Sequence, residues 1–101
     1  MKRNRRPTHP GEILKELYLK NLGITISEFA KHIHVSRKTI SAIVNCRKSV
    51  TPEMSLRFSA AFPDTTPQSW TNLQRNFDIW KARNNLEEKI SNITPLVAQA
   101  C

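Results

Sequence analysis

The sequence predicts an all-α domain of five helices. Three observations carry that expectation. N-capping signals recur along the chain, apolar residues return every three or four positions, and 101 residues contain only two glycines. A hydrophobic content of 39% suits one small domain with a modest core. No apolar run approaches the roughly 20 residues that span a bilayer, and no apolar segment follows the basic N-terminus as in a secretory signal. A cytoplasmic protein with no membrane association is expected.

Three regions are delineated. Residues 1–8 form a basic arm without apolar periodicity, residues 9–83 the helical domain, and residues 84–101 a C-terminal tail. The arm is expected to be a solvated tail in the free chain and to lie along phosphates or a minor groove when a duplex is bound.

Pro10 suits the start of a first helix, with Ile13, Leu14, Leu17, Tyr18 and Leu22 as its apolar face and Asn21 to Gly23 as its end. Thr25 followed by Glu28 is a capping box, in which hydroxyl and carboxylate each satisfy an orphan amide. Behind it Ile26, Phe29, Ala30 and Ile33 recur at helical spacing. After a three-residue break, Ser36 caps a further short helix. Thr51-Pro52 and Thr66-Pro67 then repeat one device, a capping hydroxyl followed by proline at the first helical position. The first opens a helix with Met54, Phe58, Ala61 and Phe62 inward, stopped by Pro63-Asp64. The second opens the longest helix, whose stripe of Trp70, Leu73, Phe77 and Trp80 is expected to form core or a homodimer interface, the interface being preferred. From Asn84-Asn85 the pattern weakens, and Leu86, Ile90 and Ile93 keep a faint helical spacing until Pro95.

The pair of short helices between Thr25 and Asn45 reads as a helix-turn-helix. At about 100° per residue, Thr39, Ile40, Ile43 and Val44 share one side of the second helix. Arg37, Lys38, Ser41, Ala42 and Asn45 share the other. Those are groups that read guanine edges, adenine edges and the thymine methyl. Charge agrees with the motif: residues 1–48 hold 11 basic and 3 acidic side chains, and residues 49–101 hold five of each. The formal net charge of +8 therefore belongs to the half containing the helix pair, where it favours phosphates through counterion release. Arg37 and Lys38 are candidates for guanine or phosphate contacts, and Ser41 and Asn45 for polar contacts with bases or backbone. Ser36 stands at the helix start, while Thr25, Ser27, Arg47 and Lys48 would position the protein on phosphates. Thr39 is assigned mainly to packing.

No catalytic constellation, metal site or cofactor site is expected. His32 and His34, two apart, fall on different sides of a helix, and His9 is distant. Cys46 and Cys101 form neither a disulfide framework nor a ligand pair. Gly11 and Gly23 make no phosphate-cradling loop.

Thr25 to Lys48 resembles the helix-turn-helix of the Xre/Cro/C1-type repressors, which implies a lambda-repressor-like fold. The similarity extends to the HigA/VapI-type antitoxins. It rests on His9-Pro10-Gly11-Glu12, Val35 to Ser41, Val50 to Arg57, Thr65-Thr66-Pro67, Trp70, Leu73-Gln74 and Phe77-Asp78. The resemblance implies an antitoxin of a type II toxin–antitoxin module. Such a protein neutralises a HigB-type toxin, a RelE-like mRNA endonuclease, by direct binding. It also dimerises and represses its own operon at a near-palindromic site in double-stranded DNA. A free-standing Xre-type repressor without a toxin partner is the alternative. The chain departs from the family pattern at three positions. His34 stands where the turn often has glycine and a positive φ is expected. Cys46 replaces the glycine that usually follows Asn45, so the helix end there should be strained or adjusted. Ile26 occupies the place of a phosphate-contacting glutamine, so that contact is not carried over. The Pro63-Asp64 turn is also longer than the family's usual glycine turn.

Overall fold

The computed structural model describes residues 5–98, all of whose regular elements are helices. Residues 1–4 of the expected arm and 99–101 of the expected tail, with Cys101, lie outside the described residues. Helix α1 comprises three consecutive segments, Pro10–Ile13, Leu14–Leu19 and Lys20–Leu22, the middle one π-helical. It is followed by α2 (Ile26–His32), α3 (Arg37–Val44), α4 (Pro52–Ala61) and α5 (Pro67–Ser91). None of these helices is long and apolar enough to cross a membrane.

Local chemistry starts each helix. His9, Thr25, Ser36, Thr51 and Thr66 are the five N-caps, each accepting from an amide of its own first turn. Thr25 and Glu28 form the expected capping box, with Glu28 N–H donating to Thr25 Oγ1 at 3.0 Å and Thr25 N–H to Glu28 Oε1 at 2.7 Å. Prolines 10, 52 and 67 occupy first-turn positions.

The first three helices end alike. Gly23, His34 and Cys46 all have left-handed backbones, with φ of 68°, 64° and 61°. In each case the next N–H reaches back five residues: Ile24 to Leu19, Val35 to Ala30 and Arg47 to Ala42. This is the Schellman ending, normally supplied by glycine. His34 and Cys46 adopt it without glycine, so the positive φ expected at His34 is present and the helix end at Cys46 is adjusted in the same way.

The π-helical turn corrects the apolar face expected for α1. A turn of that kind takes up one extra residue, so after Leu14 the buried face returns at Tyr18 and Leu19 rather than Leu17. Leu14 and Leu19 are buried, Ile13 and Tyr18 half-buried, while Leu17 and Leu22 face solvent.

The core lies where α1, α2, α4 and the start of α5 converge. Phe29 stacks on Phe62 at 5.4 Å between centroids, and Phe58 meets Trp70 edge-on at 5.0 Å. Ala30, Ile33, Ile40, Ile43, Val44 and Val50 complete it from the helix-turn-helix side. Ile26, Met54 and Ala61 pack partly against it. Beyond the domain α5 continues through Asn84-Asn85 to Ser91, so residues 84–91 are helical where a tail was expected. Residues 81–90 are all exposed, and this projecting segment accounts for the elongated dimensions of 57 × 29 × 26 Å.

Candidate nucleic-acid interface

Helix α3 is held by its apolar side. Ile40, Ile43 and Val44 are buried, and Thr39 is half-buried. Burial of three branched aliphatic side chains, each worth about 1.5–3 kcal/mol, fixes the rotation of the helix about its axis. The opposite side is consequently turned outward. Arg37, Lys38 and Asn45 are exposed, and Ser41 and Ala42 are half-buried.

A contact from α1 fixes the far end of α3. Its first turn lies so close to Ile43 that a Cβ on Gly11 would stand 2.7 Å from the Ile43 carbonyl carbon. Only glycine permits that approach. The His9 imidazole then completes the α1 cap, its Nδ1 accepting from Gly11 N–H at 2.9 Å. Glu12 Oε1 accepts from His9 N–H at 3.0 Å. His9 is 2% exposed, and burial pushes its pKa below the usual histidine value, against the opposing pull of Glu12 and Asp78. The His-Pro-Gly-Glu segment is thus a cap and a close-packing device.

Two further side chains hold the helix pair. Arg57 Nη1 donates to the Ile33 carbonyl at 2.8 Å, tying α4 to the turn between α2 and α3, while its Nη2 pairs with Glu53 at 3.1 Å. Gln74 is buried on α5. Its Oε1 accepts from Val50 N–H at 2.9 Å and its Nε2 donates to Asp78 Oδ1 at 2.9 Å, fixing the segment after α3. Sequence reasoning gave neither residue a role. The available signals were a polar residue four positions after Trp70 on an otherwise buried face, and an arginine four positions after a glutamate.

The polar candidates divide by how much their own helices use them. Ser36 Oγ accepts from Thr39 N–H at 3.1 Å and lies 2.8 Å from Thr39 Oγ1, so it is first a cap. Thr25 is also a cap, with Ser27 exposed beside it on the first turn of α2. Asn45 turns its amide back onto the Ser41 carbonyl at 2.8 Å. The cations are different. Arg37, Lys38, Arg47 and Lys48 are exposed and enter no ion pair among the described residues. The neighbouring acids are engaged elsewhere: Glu28 in its cap, Glu12 with Arg6 at 2.8 Å, and Glu16 with Lys20 at 3.1 Å. Uncompensated positive charge therefore collects along the outward side of α3 and the loop after it.

The stripe expected to serve a dimer is divided by the fold. Trp70 is 1% exposed, surrounded by Tyr18, Phe58 and Phe62, and its indole N–H donates to Thr65 Oγ1 at 3.0 Å. This corrects its assignment to the interface, because the chain's own aromatics and a hydroxyl already cover the whole ring. Leu73 is half-buried against the core. Phe77 is half-buried with the His9 ring edge-on at 4.8 Å and Trp80 at 5.9 Å. His32 and His34 are both exposed, and no three His, Cys, Asp or Glu side chains gather to hold a metal among the described residues.

Residues 14–70 match the helix-turn-helix family model. The chain is 41% identical to the uncharacterized HTH-type transcriptional regulator YbaQ of Escherichia coli K12, over 88% of this chain and 80% of that protein. It is 35% identical to antitoxin HigA-1 of Vibrio cholerae, over 94% of this chain and 89% of that protein. Among solved structures, Pseudomonas aeruginosa antitoxin HigA with the higBA promoter superimposes with a TM-score of 0.86 at 33% identity, covering 91% of this chain and 100% of that one. On this fold and these relatives, the chain belongs to the Xre-type helix-turn-helix family of DNA-binding regulators and HigA-type antitoxins.

Proposed function

We propose that this protein is a DNA-binding antitoxin that represses its own toxin–antitoxin operon and neutralises a HigB-like toxin, a RelE-type mRNA endonuclease, by direct binding. The observation that carries the DNA-binding part is the uncompensated cationic side of α3, held outward by buried Ile40, Ile43 and Val44. In this reading α3 enters a major groove. Arg37 and Lys38 contact guanine edges or phosphates, and Ser41 and Asn45 contact bases or backbone. Thr25, Ser27, Ser36, Arg47 and Lys48 set the position on phosphates.

A homodimer would place two such helices about one helical turn apart, or a multiple of it, on a near-palindromic operator. Supporting a dimer, α5 presents Ile79, Leu86 and Ile90 on one face, 49%, 41% and 50% exposed. Offsets of seven and four keep them in line on a helix. The surface for a second copy therefore lies further along α5 than Trp70.

The antitoxin part rests on the named relatives, and the E. coli regulator at 41% identity supports a second reading, a repressor without a toxin. One experiment separates them. Co-expression with the product of the neighbouring gene, followed by pull-down and footprinting upstream of the operon, should yield a complex that protects a palindromic site. A protected site with no captured toxin and no toxic neighbour selects the free-standing repressor. Absence of both sinks the proposal.

A further inference from the structure

The outward face of α5 does not end with Ile79, Leu86 and Ile90. Steps of three or four residues join Arg75, Ile79, Ala82, Leu86, Ile90 and Ile93 into one line, which runs just past the C-cap Asn92. Its N-terminal end borders a groove of about 460 Å³ between α5 and the start of α4, where Val50, Pro52, Ile79 and Ala82 supply apolar lining. Gln74 and Asp78, which also line it, are already hydrogen-bonded to each other. Beyond the other end of the line the chain leaves the helix. Ile93, Leu96 and Val97 are 69%, 97% and 81% exposed there. Pro95 bars a further helical turn and favours an extended Thr94 before it.

Within one chain this segment is too short to return to the middle of the groove. Arg75 lies about 24 Å back along the helix from Ser91. The residues from Ser91 to Val97 span at most about 22 Å when fully extended, and less once the chain has reversed. A second copy lying antiparallel removes the obstacle. The exposed part of α5 is cationic first, with Lys81 and Arg83, and acidic next, with Glu87 and Glu88. None of the four enters an ion pair among the described residues. Parallel helices would set like charge against like. With Ile79 of one copy opposite Ile90 of the other, antiparallel helices set Glu88 opposite Lys81 and Glu87 between Lys81 and Arg83. Lys89 then meets the uncharged Trp80. In that register Ser91 stands opposite Asp78, and the chain runs on toward Arg75 and Thr71, along the groove. Area points the same way. A specific dimer buries about 800 Å² per partner, of which three half-exposed aliphatic side chains supply only part.

From this geometry we infer that two copies of the chain exchange their C-terminal segments. Each Ile93–Val97 lies in the groove of the other copy, Ile93 near Ile79 and Leu96 and Val97 on Val50 and Pro52, across an antiparallel pair of α5 helices. The inference rests on the homodimer of the proposed function and adds to it an orientation and a second, separable contact.

Sedimentation equilibrium and directed crosslinking of the full chain test it. Leu96→Asp/Val97→Asp changes side chains that face solvent in the single chain, so far-UV circular dichroism should be unaltered. The dimer dissociation constant should rise at least about tenfold. Lys81→Glu/Arg83→Glu should weaken the dimer as well, and adding Glu87→Lys/Glu88→Lys to the same chain should restore it. In a parallel pair neither change alters how like charges meet. For the exchange itself, Val97→Cys chains are mixed with Arg75→Cys chains, both carrying Cys101→Ser and Cys46→Gly, the latter suited to its left-handed backbone. Oxidation should join the two kinds of chain, and a chain bearing both new cysteines should form linked dimers rather than closed monomers. A closed monomer, no mixed disulfide, or a tail variant that dimerises with wild-type affinity overturns the exchange. If that variant instead loses the neighbouring gene product in a pull-down, the segment belongs to a toxin contact. Should wild type be dimeric and the charge reversal be restored, the α5 dimer survives such results. A wild type that stays monomeric throughout sinks both.

Discussion

Gly11 packs its α carbon against the backbone carbonyl of Ile43, so the first turn of α1 directly determines where the C-terminal half of α3 lies. A Cβ at this position would collide with the carbonyl oxygen and sit 3.1 Å from His9 Nδ1. Both neighbours are fixed, one being backbone and the other a cap. Gly11→Ala should therefore destabilise the domain by about 1–3 kcal/mol or more, since neither can move aside cheaply. At about 4–8 °C per kcal/mol for a domain of this size, thermal denaturation will register it. Affinity for the operator should fall with it, because the displaced element is the helix proposed to enter the major groove. An unchanged melting temperature would mean that α1 and α3 are further apart than described.

Trp70 and Trp80 should behave differently although they share one sequence stripe. Trp70→Ala empties a site enclosed by Tyr18, Phe58 and Phe62 and leaves Thr65 without its indole donor. A loss of about 3–5 kcal/mol is expected, a large fraction of the total for a domain of this length. Trp80, half-buried beside Phe77, should cost clearly less when truncated. Urea denaturation of the two variants at equal concentration measures the difference. Equal losses would contradict the division of the stripe between core and surface.

What the sequence revealed and what it concealed follow from the range of the forces involved. The caps at Thr25, Ser36, Thr51 and Thr66 were legible because a capping hydroxyl and its target amide lie within one turn of each other. The buried side of α3 was legible for the same reason: Ile40, Ile43 and Val44 are spaced for one face. The π-helical turn of α1 was not. Leu14, Leu17 and Tyr18 satisfy an ordinary helical period, and only packing against the rest of the domain selects Tyr18 and Leu19 over Leu17. The fate of Trp70 was hidden likewise, since a stripe of aromatics has the same spacing whether its own chain or a second copy covers it. The positive φ of His34 and the adjusted helix end at Cys46 were legible only through the family resemblance. Left-handed helix ends usually announce themselves through glycine, and here the Schellman hydrogen bonds are made without it. Arg57 and Gln74 act across 24 residues of sequence, on Ile33 and Val50 respectively, a separation that no local pattern encodes.

Stability should decline in mild acid through His9. Its folded-state pKa is lowered by burial, with Arg6 and Lys81 acting in the same direction and Glu12 and Asp78 against it. As pH falls through the ordinary value of 6.5, the unfolded chain takes up a proton that the folded chain resists. The unfolded state then binds more protons, so stability rises with pH between the depressed folded pKa and 6.5. Protonation would also remove the lone pair that accepts from Gly11 N–H. Denaturation midpoints from about pH 7.5 to about pH 5.5 should fall for wild type and vary less for His9→Gln, whose absolute stability is lower. Glu12, whose pKa is lowered chiefly by its hydrogen bond with Arg6, loses its contribution only in more acidic solution, below the ordinary 4.5. Equal pH slopes in the two proteins would eliminate His9 as the source.

The exposed face of α5 predicts how oligomeric state will respond to charge. Ile90→Glu alters a half-exposed residue in a segment whose residues are all exposed, so the monomer fold should tolerate it. In a dimer the same carboxylate would be desolvated without a partner, at a cost of several kcal/mol. Sedimentation equilibrium should then find Ile90→Glu monomeric at concentrations where wild type is dimeric. Cooperative binding to both half-sites should weaken with it. A variant still dimeric at the same concentration would move the interface elsewhere on the molecule.

In the proposed complex with DNA, Arg37 and Lys48 would separate base reading from phosphate positioning. Arg37 is the first residue of α3 and is exposed, whereas Lys48 belongs to the loop after it. A guanidinium at the leading end of a recognition helix can donate twice to one guanine. Arg37→Ala should therefore cost about 1–3 kcal/mol on the operator and relax preference at a single base pair in each half-site. A loop ammonium recognises charge rather than base identity. Lys48→Ala should weaken operator and unrelated duplexes alike and make the salt slope shallower by about 0.9. Competition binding against a panel of single-base operator variants, repeated at two salt concentrations, distinguishes the two. If Arg37→Ala lowers affinity uniformly across the panel, Arg37 is a phosphate contact, and base recognition must then come from Lys38, Ser41 or Asn45 on the same outward face.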